Sequence, residues 1–103
     1  MSKVLHEYYY VVGDGDIHSS YDLVVEKETD KMYFGTSYGG AGRFGLKKAV
    51  FNRVDIIKDR KYGLVYHVRM DVEDEHEARE QARELIYNHM IAFIERFKNY
   101  KEN

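Results

Sequence analysis

Three glycines near the middle of the chain, Gly40, Gly42 and Gly45, have the G-x-G-x-x-G spacing of loops that bind phosphate groups. A dinucleotide-binding loop also needs a parallel strand before it, a full helix after it and an acidic residue about 20 positions further on. Here the preceding strand is the second arm of a predicted hairpin, and Asp71 follows Gly40 by 31 positions. We therefore predict no nucleotide cofactor.

The same stretch predicts a more modest binding surface. We expect residues 37–48 to form a loop and the start of a short helix, because the glycines let the chain reverse there. Two aromatic rings, an arginine and two lysines in such a place suit either a single anion or a protein partner. The predicted binding residues are Tyr38, Arg43, Phe44, Lys47 and Lys48.

The remaining candidates for chemistry are weak. None of the five histidines has the H-x-x-x-H or H-E-x-x-H spacing of a metal site, and we expect His67 and His76 to be solvated surface residues. The chain has no cysteine, which excludes thiolate metal sites and disulfides. Ser37 has the G-x-S-x-G spacing, between Gly35 and Gly39, but nothing in the sequence places a base beside it. We predict no metal and no catalytic residue, so a small enzyme is only the third alternative.

The charge distribution bears on the class of partner. Residues 43–61 carry seven basic and two acidic side chains, whereas residues 1–30 and 71–84 each carry seven acidic and two basic ones. A basic segment can bind nucleic acid, which is the alternative function. The net charge of -2 and the acidic flanks count against it. Ten tyrosines and five phenylalanines suit a recognition surface, so we predict a binding module that acts through protein–protein contacts, as a regulatory or inhibitory accessory protein.

Length and composition indicate one globular domain, residues 1–103, with 44% hydrophobic and 33% charged residues. The longest apolar run, Tyr8–Val12, is far shorter than the roughly 20 residues of a membrane span. We therefore predict no membrane contact, and the absence of cysteine favours the cytoplasm.

Hydrophobic periodicity predicts an antiparallel sheet. Alternating or tyrosine- and valine-rich segments indicate strands over residues 3–12, 17–26, 31–36 and 64–71, with a short helix near residues 46–52. Residues 53–59 fit a strand or a helical continuation, and their β-branched side chains favour the strand. The predicted fold class is α+β, with four or five antiparallel strands packed against one long C-terminal helix.

That helix is predicted over residues 75–99. Asp74 and Glu77 have the spacing of an N-terminal capping box. Apolar residues then recur every three or four positions, at Ala78, Ala82, Leu85, Ile86, Met90, Phe93, Ile94 and Phe97. Because a helix of this length on a small sheet leaves apolar surface at one end, we predict a homodimer.

Overall fold

The computed structural model describes the backbone of residues 3–37 and 40–102, and the side chains there except at positions 21, 36–37, 40–44 and 99–102. Six antiparallel strands form one sheet in the order β4-β3-β2-β1-β6-β5. The α+β class, the antiparallel sheet and the long C-terminal helix are confirmed. The elements are β1 (Lys3–Val11), β2 (His18–Glu28), β3 (Met32–Ser37), β4 (Gly40–Leu46), α1 (Lys47–Val50), β5 (Val54–Asp59), β6 (Gly63–Met70) and α2 (Glu75–Glu102).

The glycine-rich stretch is a strand, so its assignment to a loop is wrong. β4 pairs with β3 from Met32 opposite Leu46 to Ser37 opposite Gly40, and this strand raises the count to six. Glycine has a low strand propensity, but the hydrogen bonds offered by the neighbouring strand outweigh it. A bulge beside Tyr33 accommodates the extra residue, and Gly45 takes a φ of +108° where the chain leaves the sheet.

The helix between β4 and β5 is shorter than the helix predicted near residues 46–52. α1 covers only Lys47–Val50, because the following residues dock onto β6. Phe51 forms a parallel bridge with Arg69, and the Asn52 backbone N–H donates to the Arg69 carbonyl oxygen at 2.7 Å. Residues 54–59 are then strand β5, paired with β6, which confirms the favoured alternative for this segment.

The sheet carries a hydrophobic cluster on each face. On one face α2 packs over β1 and β6, and the buried members of that cluster are Tyr8, Ile17, Tyr66, Val68, Met70, Ala78, Ala82 and Ile86. The second cluster lies on the opposite face and is closed by the residue that follows α1; it consists of Leu5, Leu23, Val25, Tyr33 and Phe51. Tyr8 of β1 belongs to the first cluster and Leu5 to the second, because alternate side chains of a strand point to opposite faces.

α2 begins with the predicted cap. The Glu77 backbone N–H donates to Asp74 Oδ1 at 2.9 Å, which satisfies one of the free amides of the first turn. The helix runs for 28 residues, about 42 Å, whereas the eight residues of β6 extend roughly 26 Å. The C-terminal end of the helix therefore extends past the sheet. Neither α2 nor α1, the two described helices, is apolar over a length that would cross a membrane.

Candidate functional site

The predicted binding surface of residues 37–48 is only partly described. Tyr38 lies outside the described residues, and Arg43 and Phe44 lie in β4, where the backbone but not the side chains is described. Their grouping with Lys47 and Lys48 stays a prediction.

Lys47 is already engaged within the fold. Its Nζ lies 2.5 Å from Glu28 Oε2 and 4.7 Å from the centre of the Tyr33 ring, and its backbone N–H donates to the Lys31 carbonyl oxygen. A phosphate group at the start of α1 would compete for both the ammonium group and the amide. Lys48 is exposed.

A charged cluster that the sequence analysis did not single out lies on the sheet face opposite α2. Glu7 of β1 is only 5% exposed, although it is ionisable. Its Oε1 atom lies 2.9 Å from His67 Nε2 and 2.9 Å from Arg69 Nε, both on β6. The pairing of β1 with β6 produces this arrangement. Glu7 lies directly opposite Arg69, and His67 is the diagonal neighbour on the same face, two residues along β6 from Arg69. His67 is thus paired with a carboxylate, which corrects its assignment as a solvated surface residue.

A bulge in β2 brings a further hydrogen-bonding group to Glu7. The register passes from His6 opposite Asp22 to Tyr8 opposite Ser19, so that β2 has two residues where β1 has one. Burial would raise the pKa of Glu7. Hydrogen bonds from His67, Arg69 and Ser20, together with the charge of His67, outweigh burial and lower the pKa to about 2. Glu7 therefore stays ionised throughout the physiological range.

The depressed pKa of Glu7 predicts a loss of stability in acid. A carboxyl group with a pKa near 4.5 when unfolded and about 2 when folded stabilises the fold fully above pH 4.5, and this contribution falls as the pH approaches 2. A difference of this size corresponds to about 3 kcal/mol. In urea titrations between pH 6 and pH 2, wild type is expected to lose more free energy of unfolding than Glu7→Gln. Parallel curves for the two proteins would contradict this assignment.

A shallow pocket of about 270 Å³ adjoins this cluster and is lined by Val50, Asp55, His67 and Arg69. Its walls carry charges of both signs. Among the described residues, no group of three or more His, Asp or Glu side chains is arranged to hold a metal ion. The cluster thus has the properties of a structural ion network that holds β1, β2 and β6 together.

A larger groove lies on the α2 side of the sheet, between α2 and the turn after β1. This α2 groove has a volume of about 390 Å³. Tyr10, Ile17, Ile86, Tyr87 and Met90 give it a mainly apolar lining. At its rim Asp16 accepts hydrogen bonds from Arg83 at 3.0 Å and from Arg79 at 3.3 Å. Arg83, the backbone N–H of Ile17 and Arg79 hold the pKa of Asp16 far below its usual range.

The helical arm, residues 92–102 of α2, extends beyond this groove. Ala78, Ala82 and Ile86 face the sheet and are buried. Phe93 and Phe97 continue the same helical face, but they are 56% and 63% exposed because the sheet does not reach them. Ile94 beside them is 55% exposed. The exposed apolar end predicted for the helix is thus present.

In comparisons with protein-family models, curated proteins and solved structures, the chain has no significant match. Two features stand out: an ion network that is internally paired, and an apolar helical surface for which the described residues provide no cover.

Proposed function

We propose that this chain is a small binding module that acts through protein–protein contacts, with the helical arm and the adjacent α2 groove as its contact surface. One observation carries the proposal. The helical face that is buried in the first half of α2 continues into the arm as large apolar side chains that are more than half exposed. Isolated exposed apolar residues are common, but a contiguous group at one end of a helix is typical of an interface.

The arm is a better basis for the proposal than the segment of residues 37–48. Its side chains are described, large and apolar, and aromatic residues dominate the energetic centres of protein interfaces. The corner formed by β4 and α1 remains a second candidate contact region through Lys48 and the predicted residues around it. The engagement of Lys47 by Glu28 weakens nucleic-acid binding there, since phosphate affinity depends on available basic side chains.

The proposed site of action is the cytoplasm. The cysteine-free composition suits a reducing compartment. The proposed role, as a regulatory or inhibitory accessory protein, needs no cofactor, since it uses surface complementarity alone.

The test compares capture of partner proteins by an affinity-tagged chain in its native cells. The double variant Phe93→Ser/Phe97→Ser should lose the proteins that wild type recovers, because both arm rings leave the interface. Ile57→Ser is the matched control, since Ile57 is also a large exposed apolar residue but lies on β5, away from the arm. Recovery of the same proteins by the double variant would refute the arm as the contact surface.

A further inference from the structure

We infer that the partner of the helical arm is a second copy of this chain, bound through an antiparallel pair of α2 helices. The inference rests on the proposed function, because it names the protein that covers the arm. Tyr87, Met90, Ile94 and Phe97 follow one another at spacings of three, four and three residues. This is the spacing of positions a and d of a heptad, which form the seam between two paired helices.

The seam is available for pairing. Tyr87, Ile94 and Phe97 are each more than half exposed, and Met90 lines the α2 groove. At 100° of rotation per residue, the centre of the seam lies roughly a quarter of a turn away from the helical face that packs on the sheet. A partner helix can therefore bind beside α2 without displacing the sheet.

An antiparallel arrangement satisfies all four seam positions at once. In one register Tyr87 packs against Phe97 of the partner subunit, and Met90 packs against Ile94 of the partner subunit. The same register is generated by a two-fold axis, so each contact occurs twice. A shift by one heptad in either direction leaves half of the apolar seam without an apolar counterpart.

The residues that flank the seam agree with this register. Exposed Glu84 and exposed Lys98 occupy equivalent heptad positions at opposite ends of the seam. Antiparallel pairing brings Glu84 next to Lys98 of the partner subunit, twice per dimer. A parallel pair would instead keep Glu84 and Lys98 at opposite ends of the seam, where the two charges cannot meet. Ile91, midway between them, meets its own copy at the two-fold axis.

The α2 groove completes the fit. In this register Phe97 of the partner subunit lies over Tyr87, at the edge of a groove of about 390 Å³ whose lining is mainly apolar. The ion pair of Asp16 with Arg83 stays at the rim, where water can reach it. Each chain thus offers an aromatic side chain and receives one, which is the reciprocal contact of a symmetric dimer.

The first measurement is the molar mass in solution by light scattering and sedimentation equilibrium. At micromolar concentration wild type should have about twice the 12.2 kDa mass of the chain. Ile94→Glu places two carboxylates in the dimer seam and should raise the dissociation constant by roughly 100-fold or more. Ala92→Glu is the matched control, since Ala92 is exposed on the side of α2 away from the seam, and it should remain dimeric. A 12.2 kDa wild type would overturn the inference.

Charge reversal tests the antiparallel register. Lys98→Glu converts two attractive pairs into repulsive ones and should weaken the dimer by roughly tenfold at low salt. Adding Glu84→Lys to the same chain restores opposite charges and should recover the wild-type dissociation constant. If the second substitution weakens the dimer further, the antiparallel register is wrong.

Because the chain has no cysteine, one introduced thiol reports the symmetry axis. Under mild oxidation Ile91→Cys should form a disulfide-linked dimer, whereas Ala92→Cys should stay monomeric on a denaturing gel. An Ile91→Cys variant that stays reduced would overturn the inference. The proposed function would survive that result if Phe93→Ser/Phe97→Ser still abolished capture of a different protein, and would fail with the inference if capture were unaffected.

Discussion

A Glu7→Ala variant is expected to lose about 2–4 kcal/mol of the free energy of unfolding at neutral pH. The substitution leaves His67 and Arg69 beside an apolar gap in place of the carboxylate that both contact at 2.9 Å. Breaking a fully buried ion pair from one side costs about 3–5 kcal/mol. We expect somewhat less here, because the side chain of Arg69 is 30% exposed and water can solvate part of its charge.

Chemical denaturation followed by circular dichroism measures this loss. Glu28→Ala is the matched control, since Glu28 also contacts two cationic groups, on Lys3 and Lys47, but lies at the surface. Surface ion pairs contribute little, so this control should stay close to wild type. Glu7→Gln preserves the shape and removes the charge, so its loss should be intermediate. Equal effects of Glu7→Ala and Glu28→Ala would show that the network does not stabilise the sheet.

The ion network could not be found from the sequence for a physical reason. Glu7 lies in a tyrosine- and valine-rich strand, and a lone acid in such a strand is the one local signal that it is special. Its partners are about 60 positions away, and only the pairing of β1 with β6 brings them together. The bulge that brings Ser20 close is likewise a property of the pairing between β1 and β2. The period of a single strand shows which of its side chains share a face, but it does not show which distant strand lies beside it.

Local signals were sufficient where the structure itself is local. The capping residue Asp74 and the helical period predicted α2, and alternation predicted β6, because both patterns repeat within a few residues. That α2 would leave apolar surface exposed at one end was also predictable, from its length. Which residues of α2 are exposed depends on where the sheet ends. That edge is set by the turn after β1 and the turn before β6. The side chains of the predicted surface at Arg43 and Phe44 are not described, so that part of the site stays a prediction.

The second large loss of stability is expected in the glycine-rich stretch, at Gly45. A Gly45→Ala variant should lose about 2–4 kcal/mol of the free energy of unfolding. Its φ of +108° is unfavourable for any residue with a side chain, at a cost of about 1–2 kcal/mol. An alanine Cβ there would also lie 2.7 Å from Val50 Cγ2. Val50 is short and β-branched, so it cannot swing away, and relieving such a clash costs about 1–3 kcal/mol.

Two other glycines separate these contributions. Gly13 has a φ of +107°, nearly that of Gly45, but a Cβ there meets nothing within 4 Å. Gly13→Ala should therefore show the backbone cost alone. Gly15 has neither constraint, so Gly15→Ala should leave stability nearly unchanged. The three variants are compared by urea denaturation under the same conditions.

A double-variant cycle isolates the clash. Val50→Ala alone should destabilise the fold, since Val50 packs against the second hydrophobic cluster. In the Gly45→Ala/Val50→Ala protein the Val50 methyl group at 2.7 Å is gone. The double variant should therefore lose less free energy of unfolding than the two single variants lose in total. Strict additivity, or equal losses for Gly45→Ala and Gly13→Ala, would mean that the corner at α1 relaxes freely. The tight approach of α1 to β4 predicts the opposite: Gly45 is required there because it lacks a side chain, independently of any phosphate group.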